Sequence, residues 1–137
     1  MMYELFEHTA DLGLRVRARD LAGLFRDAAR GLFAMIVEPE PAGAPVGERS
    51  FALSAARYDH LLVDWLGELL CLFDSERLVA GDFRVELDGP KLTASAAIYD
   101  VAGGRFHVLR EVKAITYHGL KVEPLDGGWL AELIVDI

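Results

Sequence analysis

The sequence predicts an α+β fold in which two helices pack on antiparallel β-sheet as a sandwich. Two segments repeat apolar residues at helical spacing, about seven shorter segments follow strand patterns, and the late strands are joined by tight-turn sequences. A chain of 137 residues has the size of one domain, so we expect residues 1–137 to form a single domain.

The first predicted helix follows Asp20, a residue type that commonly caps helix N-termini. Its apolar residues recur every three or four positions: Leu21, Leu24, Phe25, Ala28, Leu32, Met35 and Ile36. Residues 38–45 contain three prolines and a glycine, which predict the end of the helix and a loop within the domain.

The second predicted helix runs from about Tyr58 to Glu76 and buries an apolar face that includes Trp65. The pattern predicts core positions for Trp65 and Trp129. Cys71 lies among leucines and a phenylalanine, so we interpret it as a core thiol rather than a nucleophile.

Strand patterns precede, separate and follow the helices. Turn sequences at Asp88-Gly89-Pro90 and Asp126-Gly127-Gly128 favour antiparallel connections in the C-terminal half. The predicted strands are Met2 to His8, Leu12 to Arg19, Arg49 to Ser54, Asp82 to Leu87, Lys91 to Tyr99, Val112 to Val122 and Gly128 to Ile137.

The charge balance narrows the classes of partner. A formal net charge of −8 disfavours stable direct binding to nucleic acid and favours a protein with a basic surface, or a cation. No apolar run approaches the roughly 18 residues of a membrane span. The first residues lack a secretory signal pattern, so we expect no membrane association and a cytoplasmic location.

Familiar catalytic motifs are missing from the sequence. It contains no phosphate-binding loop, no dinucleotide fingerprint and no nucleophile elbow, and we therefore assign no catalytic residue. A metal-dependent hydrolase remains an alternative, supported only by two carboxylates and a cation.

Three segments place polar residues inside strand patterns: residues 7–13, 111–118 and 133–137. Strand alternation puts Asp136 on the same side as Ile134, which predicts a half-buried carboxylate that needs a partner. Lys113 or a metal ion could be the partner of this carboxylate. Oxygen ligands from Asp11, Asp136 and the terminal carboxylate of Ile137 suit Ca²⁺, Mg²⁺ or Mn²⁺ better than zinc.

The same residues could instead have purely structural roles. Asp11 could be a turn or capping aspartate, and Lys113 could be a lysine on an edge strand or on the surface. His8 and His118 are either outer-sphere partners of the carboxylates or histidines hydrogen-bonded within the fold. Arg15, Arg17 and Arg19 alternate along one strand, as either a basic stripe or an ordinary solvated face.

The three segments together resemble the archease family. They read His8-Thr9-Ala10-Asp11, then Glu111 to His118 (Glu-Val-Lys-Ala-Ile-Thr-Tyr-His), and finally Asp136-Ile137, in the family's order and positions. The resemblance spans nearly the whole chain, including both predicted helices. It implies an archease-like sandwich that holds a divalent ion, most often calcium, near Asp11 and Asp136.

The resemblance also implies a function. Archeases are accessory proteins of the RtcB-type tRNA-splicing RNA ligase, which joins RNA ends with GTP and Mn²⁺. They promote guanylylation of the ligase and its multiple turnover. In that role we expect Lys113 to face a phosphate or carboxylate of the ligase. A second role suggested for the family is chaperoning a tRNA methyltransferase.

Overall fold

The computed structural model describes residues 3–8, 11–39, 43–101 and 106–137, without the side chains of residues 7, 8 and 39. These residues form two helices and ten strands. In chain order they are β1 Tyr3–His8, β2 Asp11–Ala18, α1 Leu21–Ile36, β3 Val37–Pro39, β4 Gly47–Ser54, α2 Tyr58–Glu76, β5 Leu78–Asp88, β6 Lys91–Asp100, β7 Phe106–Val108, β8 Ala114–Ile115, β9 Lys121–Leu125 and β10 Gly128–Asp136.

The strands form three antiparallel sheets within the described part of the chain. In the first sheet β10 is central, with β2 and then β1 on one side and both β8 and β9 on the other. A second large sheet has the order β4-β6-β5, and β3 pairs with β7 in a small third sheet. The predicted α+β architecture of helices on antiparallel sheets is confirmed.

Both helices form where the apolar spacing predicts them. The Asp20 side chain caps α1 by accepting a hydrogen bond from the Gly23 N–H at 2.7 Å. Helix α2 ends at Arg77, whose left-handed backbone (φ 55°) lets its N–H donate to the Phe73 carbonyl at 2.9 Å. No helix in the described ranges is long and apolar enough to cross a membrane.

The core lies where the helices contact both large sheets. Helix α1 packs against β2 and β5, and α2 packs against β4, β5 and β8. Trp65 is fully buried there, as predicted, and its Nε1 donates to the Phe25 carbonyl at 3.0 Å. Trp129 is only half-buried, beside the ring of Tyr58.

Cys71 is exposed, which corrects the prediction of a core thiol. The buried residues of α2 cover most of its circumference, but Asp64, Glu68, Cys71 and Ser75 are three or four positions apart and form one exposed stripe. The Cys71 Sγ lies 3.5 Å from the Ser75 Oγ in that stripe. Its leucine neighbours in sequence therefore point in other directions.

The predicted strand from Val112 to Val122 is interrupted. Its ends pair with β10 as β8 and β9, while the Thr116 Oγ1 donates to the Ile134 carbonyl at 2.7 Å and accepts from the His118 N–H at 3.2 Å. Gly119 then adopts a left-handed backbone (φ 61°) that turns the chain. The Thr116 N–H still donates to the Ile134 carbonyl at 3.1 Å, and beyond it the hydroxyl contact with His118 replaces sheet pairing until β9.

The predicted loop at residues 38–45 is partly wrong. Residues 37–39 form β3, which pairs with β7, so a proline occurs at the end of a short two-stranded sheet. Residues 43–45 are irregular, as predicted, and residues 40–42 lie outside the described ranges.

Candidate functional site

Two aspartates from distant parts of the sequence meet at one end of the first sheet. The antiparallel register pairs Asp11 of β2 with Asp136 of β10, His8 of β1 with Asp11, and Ala114 of β8 with Asp136. We call these four positions the aspartate row. Directly paired residues have Cβ atoms ~4.5–5.5 Å apart on the same sheet face, so the two carboxylates are close neighbours.

The burial of Asp136 differs from the prediction. Its neighbours Leu133, Ile134 and Val135 are all buried, but Asp136 is exposed, whereas Asp11 is half-buried. The pattern of β10 suggested two unequal faces, yet both faces are covered until the last strand position. Asp136 is therefore exposed at the end of the sheet, where a ligand or a partner can reach it.

An apolar row lies next to the aspartate row. Phe6, Gly13 and Ile134 are paired across β1, β2 and β10, and Ile134 is only 5% exposed. A Cβ at Gly13 would overlap the ring of Phe6, which lies directly over this glycine. The glycine thus lets the Phe6 ring pack on the sheet face that also carries Asp11 and Asp136.

A row of alternating charges follows. Glu4, Arg15, Glu132 and Lys121 are paired across β1, β2, β10 and β9, and we call them the ion-pair row. Arg15 Nε donates to Glu132, Lys121 Nζ lies 3.3 Å from Glu132 Oε1, and Arg17 Nη1 lies 3.0 Å from Glu4 Oε1. These contacts favour the interpretation of the arginine stripe as a solvated, ion-paired strand face.

The titration behaviour of this row follows from its contacts. The hydrogen bond from Arg15, aided by one from Lys121, holds the pKa of the Glu132 carboxyl below its usual value despite partial burial. The hydrogen bond to Glu132 in turn raises the pKa of the Arg15 guanidinium. Acidic and basic groups alternate here, in contrast to the two facing acids of the aspartate row.

Lys113 is tied to the aspartate row through its main chain. Its N–H donates to the Asp136 carbonyl at 2.7 Å, one residue before Ala114 enters the row. The Lys113 side chain is exposed, and within the described ranges it has no ion pair. The main chain thus places Lys113 at the same end of the sheet as Asp136.

The remaining predicted residues have different positions. The backbone of His8 is in the row, but its side chain, with Thr9 and Ala10, lies outside the described residues. Ile137 follows Asp136 at the edge and is 36% exposed. His118 is exposed and lies beyond the Thr116 turn, four residues past Ala114 along the chain, so the register does not bring it into the row.

Among the described side chains of the aspartate row, the two carboxylates are the metal-binding groups. Across the described ranges, no three His, Cys, Asp or Glu side chains cluster closely enough to form a metal site by themselves. Carboxylate oxygens suit hard divalent ions, which retain water ligands where protein ligands are few. The donor set therefore fits a partly hydrated Ca²⁺, Mg²⁺ or Mn²⁺.

The rows that support the two aspartates were not predicted from the sequence. The contact of Phe6 with Gly13 and the ion pairs of Arg15 depend on the register between strands that are distant in sequence. One signal existed: the charged residues within β2 and within β10 are an even number of positions apart, so they share one face of each strand. Without knowing which strands are neighbours, that alternation could not be converted into pairs.

Comparison with known proteins agrees with this architecture. Residues 3–137 match the model of the Archease protein family (MTH1598/TM1083). Proteins named archease from Methanosarcina mazei and Pyrococcus furiosus are 36% and 39% identical over 142 and 140 residues. These alignments cover 98% of this chain and 95% and 98% of the relatives.

Solved structures with the same fold extend the comparison. The solution structure of Methanobacterium thermoautotrophicum protein 1598 superimposes with a TM-score of 0.84 at 31% identity, covering 98% of both chains. An archease from Thermotoga maritima gives a TM-score of 0.64 at 19% identity, covering 100% of this chain and 98% of that one, and so shows the fold alone. The family match and the relatives together show that this chain belongs to the archease family.

Proposed function

We propose that this protein is an accessory activator of an RtcB-type tRNA-splicing RNA ligase, promoting ligase guanylylation and multiple turnover without catalysing a reaction alone. The observation that carries the proposal is the pairing of Asp11 with Asp136 at an accessible end of the first sheet. The two family segments farthest apart in sequence supply neighbouring carboxylates there, and the Lys113 N–H donates to the main-chain carbonyl of Asp136.

A divalent ion is the proposed ligand of the aspartate row. Like charges directly opposite each other on a sheet repel, and a divalent cation converts that repulsion into attraction. Asp11 and Asp136 would hold the ion, with the carboxylate of Ile137 as a further oxygen ligand and water completing the shell. Ca²⁺ is the first choice, and Mg²⁺ or Mn²⁺ are the alternatives.

Lys113 would act on the partner. Lys113 is exposed, and its backbone lies at the same end of the sheet as Asp136, so its ammonium group suits a phosphate or carboxylate of the ligase. His8 and His118 remain proposed outer residues that orient the carboxylates; the register favours His8, whose backbone pairs with Asp11, over His118, which lies outside the row. When bound, the metal would supply positive charge that orients anionic groups, and Lys113 would add a second positive charge beside it.

The overall charge supports a protein partner. A net charge of −8 repels free RNA but attracts the basic surface by which a ligase holds RNA. The accessory protein would thus bind close to the RNA site through the ligase rather than through the RNA.

The test is multiple-turnover RNA ligation by the ligase of the same organism, with GTP and Mn²⁺ and substoichiometric amounts of this protein. Stimulation by the native protein is expected, with most of it lost in Asp136→Asn. Asp74→Asn, an exposed aspartate of α2, is the matched control and should stimulate normally. Full stimulation by Asp136→Asn would remove the aspartate row from the function.

A chaperone for a tRNA methyltransferase is the second candidate. The Thermotoga maritima structure is described as a possible chaperone, which motivates the comparison. Suppression of methyltransferase aggregation, together with no effect on ligation, would favour this role over ligase activation. Phosphoester hydrolysis by the purified protein alone would instead favour the hydrolase alternative.

A further inference from the structure

A cavity of about 710 Å³ lies on the molecule away from the aspartate row, between α1, β3, β7 and the start of β5. None of its lining residues belongs to that row. Its wall is largely apolar and aromatic, formed by Phe33, Val37, Val79, Phe83, Tyr99 and Phe106. Both the volume and the lining are typical of small-molecule sites, which measure ~300–1,000 Å³.

A bulge in β5 gives this cavity a carboxylate. The register of β5 against β6 shifts between Gly81 and Arg84, and Asp82 within the bulge has a left-handed backbone with φ 51°. Bulges redirect side chains, and left-handed non-glycine residues persist where the surrounding structure imposes them. Asp82 lines the cavity, and its Oδ2 accepts a hydrogen bond from the Tyr99 hydroxyl at 3.1 Å.

Carboxylates outnumber cations among the described residues that line the cavity. Asp82 and Glu38 both contribute exposed carboxylates to its lining. Arg30 also lines the cavity, and it shares the nearly fully buried carboxylate of Asp27 with Arg26, at 3.3 and 3.7 Å. Burial, followed by the hydrogen bond to Asp82 and its charge, raises the pKa of Tyr99, in agreement with a negative local potential.

Aromatic rings complete a site for a cation. Tyr99 and Phe106 meet edge to face, with ring centroids 6.2 Å apart, at the same wall as Asp82. A positive group is attracted both by aromatic faces and by a carboxylate, while the body of a ligand can contact the apolar wall. The chain's net charge of −8 further raises the local concentration of cations.

We propose that this cavity binds a small organic cation, an amine or guanidinium group attached to an apolar body, with Asp82 as the charge partner. The site is separate from the aspartate row and does not depend on the proposed ligase function. The ligand's ammonium or guanidinium group would lie beside Asp82 and the ring of Tyr99, with its apolar part against Phe33 and Phe83.

The experiment titrates 2-phenylethylamine into the isotopically labelled full chain and follows backbone amides by NMR. Neutral 2-phenylethanol and anionic phenylacetate have similar size and serve as charge controls. We expect the amine to shift the amides of Val79, Ala80 and Phe83 at millimolar concentration, to bind more tightly than the alcohol, and phenylacetate to bind most weakly. No amide shift, or binding of phenylacetate as tight as that of the amine, would overturn the proposal.

A pair of variants isolates the carboxylate. Asp82→Asn keeps the side-chain shape and the tolerance of asparagine for a left-handed backbone. It should weaken binding of the amine about fivefold and leave binding of the alcohol unchanged. Asp88→Asn changes an exposed aspartate at the far end of the same strand and should match the native protein. Unchanged amine affinity in Asp82→Asn would remove Asp82 as the charge partner.

Discussion

Replacing Asp136 with asparagine should change stability in opposite directions with and without a divalent ion. Without metal, Asp11 and Asp136 are facing carboxylates, and Asp136→Asn removes one negative charge while preserving side-chain size. With metal, the same change removes a proposed ligand. A reversal of sign is the result expected of a shared cation site, because a merely structural aspartate would respond equally in both conditions.

The magnitude follows from the geometry. At the ~5 Å separation of paired residues, two unit charges in a water-like dielectric repel by about 0.8 kcal/mol, an upper limit at physiological salt since Asp136 is exposed. For a chain of 137 residues that corresponds to a gain of up to about 3 °C in Tm. Calcium at 100 times its Kd should stabilise the native protein by about 2.7 kcal/mol, or about 9 °C.

The assay is thermal unfolding of the native protein, Asp136→Asn and the control Asp74→Asn, each in chelator and in CaCl₂. We expect calcium to raise the Tm of the native protein and the control equally, and that of Asp136→Asn by less than half as much. Equal calcium shifts in all three proteins would refute the assignment of Asp136 as a ligand.

Three further predictions concern the fold around the site. Trp65→Ala should lower the free energy of unfolding by about 3–5 kcal/mol in urea titrations, because a fully buried ring is lost; a loss below 1 kcal/mol would contradict its core role. The lowered pKa of Glu132 means that its contribution is present above its unfolded pKa and is lost as pH falls through the folded pKa. Unfolding measured against pH should therefore show a weaker acid dependence in Glu132→Gln, and an unchanged dependence would contradict the pairing with Arg15. Gly13→Ala should lower the free energy of unfolding by about 1–3 kcal/mol, because its Cβ displaces Phe6. Adding Phe6→Leu should recover part of that loss. If the losses of the two single variants simply add in the double variant, the contact between Gly13 and Phe6 is contradicted.

The helices were predictable because their signals are local. Helical spacing of apolar residues and the Asp20 cap placed α1, and the same spacing placed α2 with its observed bounds. The small sheet of β3 and β7 was missed because each strand has three residues and their pairing joins distant segments. Cys71 was misplaced because its sequence neighbours outweighed its position on the helical circumference.

The sequence predicted which residues form the candidate site but not how they are arranged, and their role stays a prediction. The family segments identified Asp11, Lys113 and Asp136, yet the β2–β10 register alone makes the two aspartates neighbours. The half-buried state predicted for Asp136 was wrong because strand alternation does not show where a neighbouring strand stops covering a face. The excursion at Thr116, which separates His118 from the row, depends on a hydroxyl contact with Ile134 that strand patterns do not encode.

The most direct test of the proposed function is the rate of ligase guanylylation in a single turnover with GTP and Mn²⁺. The proposal predicts acceleration by the native protein and by Asp74→Asn, and little acceleration by Asp11→Asn, Asp136→Asn or Lys113→Met, with all variants folded by circular dichroism. Equal acceleration by the native protein and both aspartate-row variants would contradict the central role of the paired aspartates, and no acceleration by the native protein would contradict ligase activation itself.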